Sequence, residues 1–338
     1  MRRLLAALIL LSSSLSAFAL PYSGVYFFGD SLTDVGNVQN VYAGLPHAPG
    51  APTTVPGAPY DAQGRASNGA IYADVLAGGL GFSATPSTTG GNDYAYSGAR
   101  TRYQTMGPDY QGILSQIGSY RALPGGADAG ALYVVWGGSN NLQDIIVGKT
   151  VDALGQPVPD LFSTVADIIQ GISALYAEGA RSFLVPNAPD LGLTPRVSGY
   201  GSAAVAGAHQ LSLAYDGLLA VSLAKLQAAT PDIRIIGFDV YSLLNRLVAN
   251  PADYGISNTT DRCYTGDDLS FTGGGSVCAN PDSYLFWDGI HPTSAVHAIL
   301  GEAMLAAVPE PETLYLMAIA LLALASVARR RAGASGRL

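Results

Sequence analysis

The first residue placed by its neighbours to do chemistry is Ser31, at the end of the run Val25-Tyr26-Phe27-Phe28-Gly29-Asp30-Ser31. Residues 25–28 are uncharged and β-branched or aromatic, the pattern of a strand buried on both faces of a parallel sheet. Gly29 and Asp30 break the run and present a serine on the turn at its carboxyl end, where α/β enzymes keep reactive groups. Two readings of that serine stand: a helix cap and a nucleophile. A nucleophile needs a base, and the chain has four histidines, His47, His209, His291 and His297. His47 falls in a Pro-rich loop; His209 and His297 fall in helical stretches with no carboxylate close in sequence. His291 follows the apolar run Tyr284-Leu285-Phe286-Trp287, and Asp288 stands three residues before it as an acceptor for its Nδ1 proton. Asp-x-x-His is short and does not decide the matter alone.

These residues need a scaffold that brings positions 31 and 288–291 together. Residues 131–136, 181–186 and 233–238 read as further strands, and the first of them ends in Gly137-Gly138-Ser139-Asn140-Asn141, polar residues again at a carboxyl end. Val165, Ile168, Ile169, Ile172, Leu175 and Tyr176 recur at helical spacing as a one-sided stripe. Leu211, Tyr215, Leu218, Leu219 and Leu226 mark a long helix. Residues 68–80 and 110–123 read as two more, the former with Asn68 as its cap. Strands alternating with helices imply right-handed βαβ units and a parallel sheet covered on both faces. Residues 38–65, crowded with proline and glycine, read as a long surface loop beside the serine turn, a lid or binding wall.

Composition sets the class. With 338 residues, 49% hydrophobic and 12% charged, the chain has material for a full core. Six of the 17 basic residues (Arg2, Arg3, Arg329, Arg330, Arg331, Arg337) and two of the 25 acidic ones (Glu310, Glu312) lie at the ends. The body between them therefore carries 11 against 23, a net of −12. A body so acidic, without a basic stripe, excludes nucleic acid as a partner.

Residues 1–19 order an arginine pair, an apolar run and Ala17-Phe18-Ala19, the form of a secretory signal with cleavage expected before Leu20. The run is too short for a membrane span, which needs about 20 apolar residues. In an exported body, Cys263 and Cys278 within a Gly-rich loop read as a disulfide rather than a metal site. Closing that loop contributes about 3 kcal/mol on the chain-entropy model.

Four blocks now carry a resemblance. FGDSLTDVGN (28–37), NDYAYSGAR (92–100), GSNN (138–141) and FWDGIHPT (286–293) stand in the order of the GDSL esterase/lipases, also called SGNH hydrolases, and this chain resembles that family over nearly all of its body. GRASNGAIYADVLA (64–77) and PNAPDLGLTP (186–195) also resemble family segments. The resemblance implies a three-layer α/β/α sandwich around a parallel sheet of flavodoxin-like order. It implies Ser31 as nucleophile, with His291 and Asp288 as the other triad members. It also implies an oxyanion hole of Ser31 N–H, Gly98 N–H and the Asn140 side chain. On its own Gly98 reads as an ordinary turn glycine. Asn141 departs from the family, which carries aspartate there, and puts the local hydrogen bonding in question. No cofactor or metal is implied. No Gly-x-Ser-x-Gly elbow occurs, so the commoner α/β-hydrolase motif is absent.

At the other end, Val308-Pro309-Glu310-Pro311, the uncharged residues 313–328 and Arg329-Arg330-Arg331 resemble the PEP-CTERM sorting tail of Gram-negative bacteria. Such a tail is processed by an exosortase. The alternative is a simple transmembrane anchor. The expected division is a signal peptide (1–19), a hydrolase domain (20–308) and a sorting tail (309–338). The expected protein is an exported ester hydrolase of the periplasm, cell surface or surroundings, acting on small acyl, lipid or acetylated glycan esters. Two alternatives stand beside it: an O-deacetylase of envelope polysaccharide, and a non-catalytic glycan-binding envelope protein.

Overall fold

Four short runs poor in charge form one parallel sheet in the computed structural model, which describes residues 22–47, 54–103, 111–152, 155–271 and 273–308. The expected signal 1–19 and tail 309–338 lie outside the described residues. In chain order the main elements are β1 (Val25–Gly29), α1 (Asn37–Ala43), α2 (Tyr72–Gly79), α3 (Ile113–Arg121), β2 (Leu132–Trp136), α4 (Ser139–Ile146), α5 (Leu161–Ala177), β3 (Ser182–Pro186), α6 (Ser202–Ala229), β4 (Arg234–Phe238), α7 (Val240–Ala249), β5 (Asn258–Arg262), β6 (Tyr284–Phe286) and α8 (Ser294–Ala307).

The sheet runs β1-β2-β3-β4, every pair parallel, with Phe28 opposite Val135 and Leu184 opposite both Val134 and Ile236. The outer edge of β1 is not bare. Phe27 N–H donates to Asn92 O, and the N–H groups of Tyr94 and Tyr96 donate to Phe27 O and Gly29 O. Residues 92–96 thus add an irregular parallel strand. This segment falls between β1 and β2 in sequence yet lies on the far side of β1, which is the flavodoxin-like order.

Side chains alternate across the sheet, as the two-residue period of a strand requires. Phe28, Tyr133, Val135, Phe183 and Val185 pack in one core cluster with Ile113 and Ile117 of α3, Ile168 and Ile172 of α5, and Tyr215 and Leu219 of α6. On the opposite face Phe27 and Trp136 meet the ring of Tyr72 on α2, which packs against α8. Each buried aromatic of this kind is worth about 3–5 kcal/mol against alanine. Helices on both faces complete the three layers.

Local readings hold with shifted ends, and two change. Residues 68–70 are not helical: α2 starts at Tyr72, where Asp74 Oδ2 accepts the N–H of Ile71. Asn68 instead places Oδ1 on the N–H of Ser294, so it caps α8, 226 residues away. The 38–65 loop begins as helix α1, and its end is buried, with Tyr60 and Arg65 inside the protein. Cys263 and Cys278 are joined as a disulfide. Among the described residues no helix is long and apolar enough to cross a membrane; the apolar run 313–328 lies outside them.

Candidate active site

The carboxyl ends of β1 and β2 converge, and with them two of the sequence blocks. Gly29 closes β1 where space runs out: a Cβ there would lie 2.6 Å from Thr33 Oγ1 and 2.7 Å from the Trp136 carbonyl. Its backbone is gripped by the buried Gln116, whose Nε2 donates to Gly29 O (2.8 Å) and whose Oε1 accepts Gly29 N–H (2.9 Å). The strand therefore ends at a fixed point, and Ser31 follows on a tight turn held by Thr33 and Asp34 N–H on the Asp30 carbonyl.

Ser31 Oγ lies 2.8 Å from His291 Nε2, and His291 Nδ1 lies 2.6 Å from Asp288 Oδ2. Asp288 is fully buried. Burial raises its pKa, but the charge of His291 and hydrogen bonds from His291 and the Ile290 N–H outweigh that, so it stays below the usual carboxylate range. With Asp288 anionic, Nδ1 carries a proton toward it and Nε2 is left to accept from the serine hydroxyl. Asp288 Oδ1 takes the N–H of Ile290 (2.8 Å) and His291 (2.7 Å), which locks the turn. Gly289 is held on both sides, its N–H on Asp268 Oδ2 (2.7 Å) and its carbonyl on the Arg196 N–H (2.9 Å).

The same cavity, about 470 Å³, is lined by Ser31, His291, Gly98 and Asn140. Gly98 adopts φ 83°, a left-handed conformation that favours glycine. The segment before it is tied to the serine turn by Asp34, whose Oδ2 accepts the Ser97 N–H at 2.8 Å while Oδ1 accepts Gly36 and Asn37. Asn37 completes the tie, its Nδ2 donating to the Asp93 and Ala95 carbonyls (2.8 and 2.9 Å). The Thr-Asp-Val-Gly-Asn run after the serine is thus the fastening between two blocks. Gly138 turns β2 into α4 at φ 109°, and Tyr215 supports that turn with a hydrogen bond to Gly137 O (2.8 Å). Asn140 follows, one amide proton on the Ala99 carbonyl at 3.0 Å.

All five expected site positions, Ser31, Gly98, Asn140, Asp288 and His291, meet in one place. Asn141 points away from it: its Oδ1 accepts Thr101 N–H (3.1 Å) and its Nδ2 reaches Thr101 Oγ1 (3.4 Å). The other histidines stand elsewhere. His47 packs on Tyr42. His297 is fully buried, accepts Tyr72 N–H, and is pushed down to about 3 by that burial. His209 corrects the sequence reading, because Asp190 Oδ1 lies 2.5 Å from its Nδ1, a carboxylate nineteen residues earlier that only the fold brings near. The sequence reading missed Tyr60, Gln116 and Asp268. Tyr60 and Asp268 stand in irregular loops, where no periodicity marks a buried residue. Among the described residues no His, Cys, Asp and Glu cluster is arranged to hold a metal.

The GDSL-like lipase/acylhydrolase model matches residues 25–304, and the PEP-CTERM protein-sorting motif matches 307–332. The chain belongs to the GDSL-like lipase/acylhydrolase family. It is therefore a carboxylic ester hydrolase, and its tail marks it for export and surface sorting in bacteria. Among curated members of the GDSL family, it is similar to the GDSL esterase/lipase APG of Arabidopsis thaliana, 28% identical over 88% of this chain and 95% of the relative. It is also similar to the GDSL esterase/lipase At1g29660 of the same plant, 28% identical over 87% and 90%. Of solved structures, one similar to it is a lipolytic protein of the G-D-S-L family from Veillonella parvula, with 12% identity, a TM-score of 0.41 and coverage of 84% and 96%.

Proposed function

We propose that this GDSL hydrolase cleaves acyl esters through an acyl-enzyme on Ser31. His291 Nε2 takes the serine proton as Oγ attacks the ester carbonyl, and Asp288 keeps the imidazole in the tautomer that can do so. The negative oxygen of the tetrahedral intermediate is met by the N–H groups of Ser31 and Gly98 and by the Asn140 amide. His291 then protonates the departing alkoxide, and a water activated by the same nitrogen releases the acid. The observation that carries this reading is the unbroken chain Ser31 Oγ, His291, Asp288 at 2.8 and 2.6 Å, opening onto the cavity that Gly98 and Asn140 also line.

The cavity walls mix apolar groups, Val38, Val147, Leu269 and Phe271, with the charged side chains of Arg100 and Arg196. Its volume suits a short or medium acyl group beside a polar alcohol, and we take such esters as the substrate class. Removal of 1–19 on export and exosortase processing of 309–338, leaving the 20–308 domain at the envelope of a Gram-negative cell, complete the proposal.

A chromogenic ester series from acetyl to long acyl, given to the wild type and to Ser31→Ala, tests it. Serine-dependent turnover that peaks at short to medium chains is the expected result. Turnover by Ser31→Ala at the wild-type rate overturns the mechanism. Turnover confined to acetyl esters favours the deacetylase reading.

A further inference from the structure

Asp288 has a second partner that the triad does not account for. Tyr60 Oη donates to Asp288 Oδ2 at 2.8 Å, the same oxygen that receives the His291 Nδ1 proton. We infer that Tyr60 is a positioning residue of the hydrolysis: its hydroxyl holds the Asp288 carboxylate in line with His291 and sets how strongly that carboxylate retains the imidazole proton. The inference rests on the roles proposed for Ser31, His291 and Asp288.

Three observations carry it. First, the carboxylate is fully buried, and among the described residues the hydrogen bonds on Oδ2 come from Tyr60 and His291. Two donors on one buried oxygen share its negative charge, so strengthening one weakens the other. Second, the phenol is fixed. Its ring stands edge-on to Tyr264, Phe271 and Trp287 with centroids 5.4, 5.3 and 6.0 Å away. Tyr264 and Phe271 lie between the disulfide cysteines, so the Pro-rich loop and the disulfide loop meet on the triad's carboxylate. Third, burial and then the charge of Asp288 keep the Tyr60 phenol protonated far above its ordinary range, so it stays a donor wherever His291 is neutral.

Other charged groups surround the pair without sharing Oδ2. Asp30 and His297 both lie near enough to interact electrostatically with His291. Above Gly289 stands Asp268, paired with Arg196 at 3.0 Å and facing Arg262 at 3.6 Å. Tyr264 backs Tyr60. Losing the phenol leaves more charge on Oδ2 to bind the imidazolium, so the acid-side loss of activity sets in at higher pH. It also removes one of the hydrogen bonds that align Oδ2 with Nδ1, which slows the chemical step. Tyr60 does not line the cavity, so substrate binding is spared.

The test measures kcat and KM against pH on a chromogenic ester, with the full-length chain as wild type, as Tyr60→Phe, and with Tyr60 replaced by a difluorotyrosine. The phenylalanine keeps the ring packing, while the fluorinated phenol keeps the hydroxyl and makes it a stronger donor. Tyr60→Phe is expected to lower kcat about tenfold with KM unchanged and to move the acidic limb upward by about half a pH unit. The fluorinated protein is expected to move that limb downward. Limbs that coincide with wild type in either folded protein overturn the inference, and should Tyr60→Phe not fold, the fluorinated protein decides alone. Ser31→Ala runs beside them. If it is inactive while Tyr60→Phe behaves as wild type, only the role of Tyr60 falls; if it is active, the triad reading falls and the role of Tyr60 with it.

Discussion

Ser31 Oγ and His291 Nε2 lie 2.8 Å apart although 260 residues separate them in the chain. The contact exists because β1 ends at the sheet's carboxyl edge and the Asp288–His291 turn, closed by Trp287 N–H on the His291 carbonyl, is delivered to the same edge. His291→Ala removes the base and is expected to lower kcat/KM a thousandfold or more. Asp288→Asn should do nearly as much for a different reason. The amide oxygen is held by the N–H groups of Ile290 and His291, so its NH₂ turns to Nδ1, forces the proton onto Nε2 and leaves Ser31 no acceptor. Steady-state kinetics with a melting curve for each variant checks both, and either folded variant running near the wild-type rate contradicts the assignment.

Asn140 spends one amide proton on Ala99 O, which leaves the other for a developing oxyanion. Asn140→Ala is expected to cut kcat about a hundredfold or more while leaving KM within a few-fold, because the donor acts mainly in the transition state. A rise in KM at unchanged kcat instead indicates ground-state binding.

The parts that were legible in the sequence are those with a period or a contiguous motif. The strands 131–136 and 181–186 were visible because two-sided burial leaves a run of apolar residues, and 233–238, half-exposed at the sheet edge, because Ile233, Ile235, Ile236 and Phe238 cluster there. Ser31 and the Asp288–His291 pair were visible because each is embedded in a block whose neighbours serve it: Asp34 and Asn37 fasten the serine turn to residues 93–97. What stayed hidden depends on long-range placement. Asn68 has the form of a cap and is one, but for α8 rather than α2. Asp190 and His209 pair across nineteen residues. Tyr60 sits in a Pro-rich loop, and no local pattern says that its hydroxyl ends on Asp288.

Two buried groups near the site pull stability in opposite directions with pH. Burial pushes Asp30 up to about 6 against the Leu32 N–H and the charges of His291 and Arg100. Its folded pKa thus exceeds the unfolded carboxylate value of about 4, and its ionisation removes stability as pH rises from about 4 to 6. His297 is the reverse: held down to about 3, it must stay neutral inside, so stability falls as pH drops below about 6.5. Asp30→Asn keeps the acceptor for Leu32 N–H and should raise the melting temperature more at pH 8 than at pH 4. His297→Gln should flatten the acid limb. Melting temperature against pH for the two variants separates the contributions, and an Asp30→Asn gain independent of pH contradicts the linkage.

The disulfide closes the loop that carries Asp268 to Gly289 and Phe271 to Tyr60. Cys263→Ser with Cys278→Ser is expected to lose about 3 kcal/mol, the entropy of a fifteen-residue loop. It should also lower kcat, because two supports of the Asp288 turn loosen together. Wild-type protein treated with a thiol reductant should lose activity in parallel with free thiol appearance. Full activity in the reduced protein, with both thiols titrated, shows that the loop is held without the bond.

Asn141, where the family carries aspartate, is explained by its neighbour. Thr101 Oγ1 donates to Asp167 Oδ2 at 2.8 Å, so its proton is committed, and it faces Asn141 as an acceptor. The Asn141 amide suits that arrangement, with Nδ2 toward Oγ1 and Oδ1 on the Thr101 N–H. Asn141→Asp sets a carboxylate oxygen against an oxygen that has no proton left to give, in a site without solvent access. Burial already raises the pKa of Asp167, and a second carboxylate nearby raises the cost further. The variant is expected to lose about 1–3 kcal/mol at neutral pH. Much of that should return below pH 5, where one carboxyl of the pair takes a proton and the Thr101 hydroxyl regains a donor to face. Denaturant unfolding at both pH values checks this. Equal stability at neutral pH means the Thr101 hydroxyl re-aims at no cost and that either residue serves at this position.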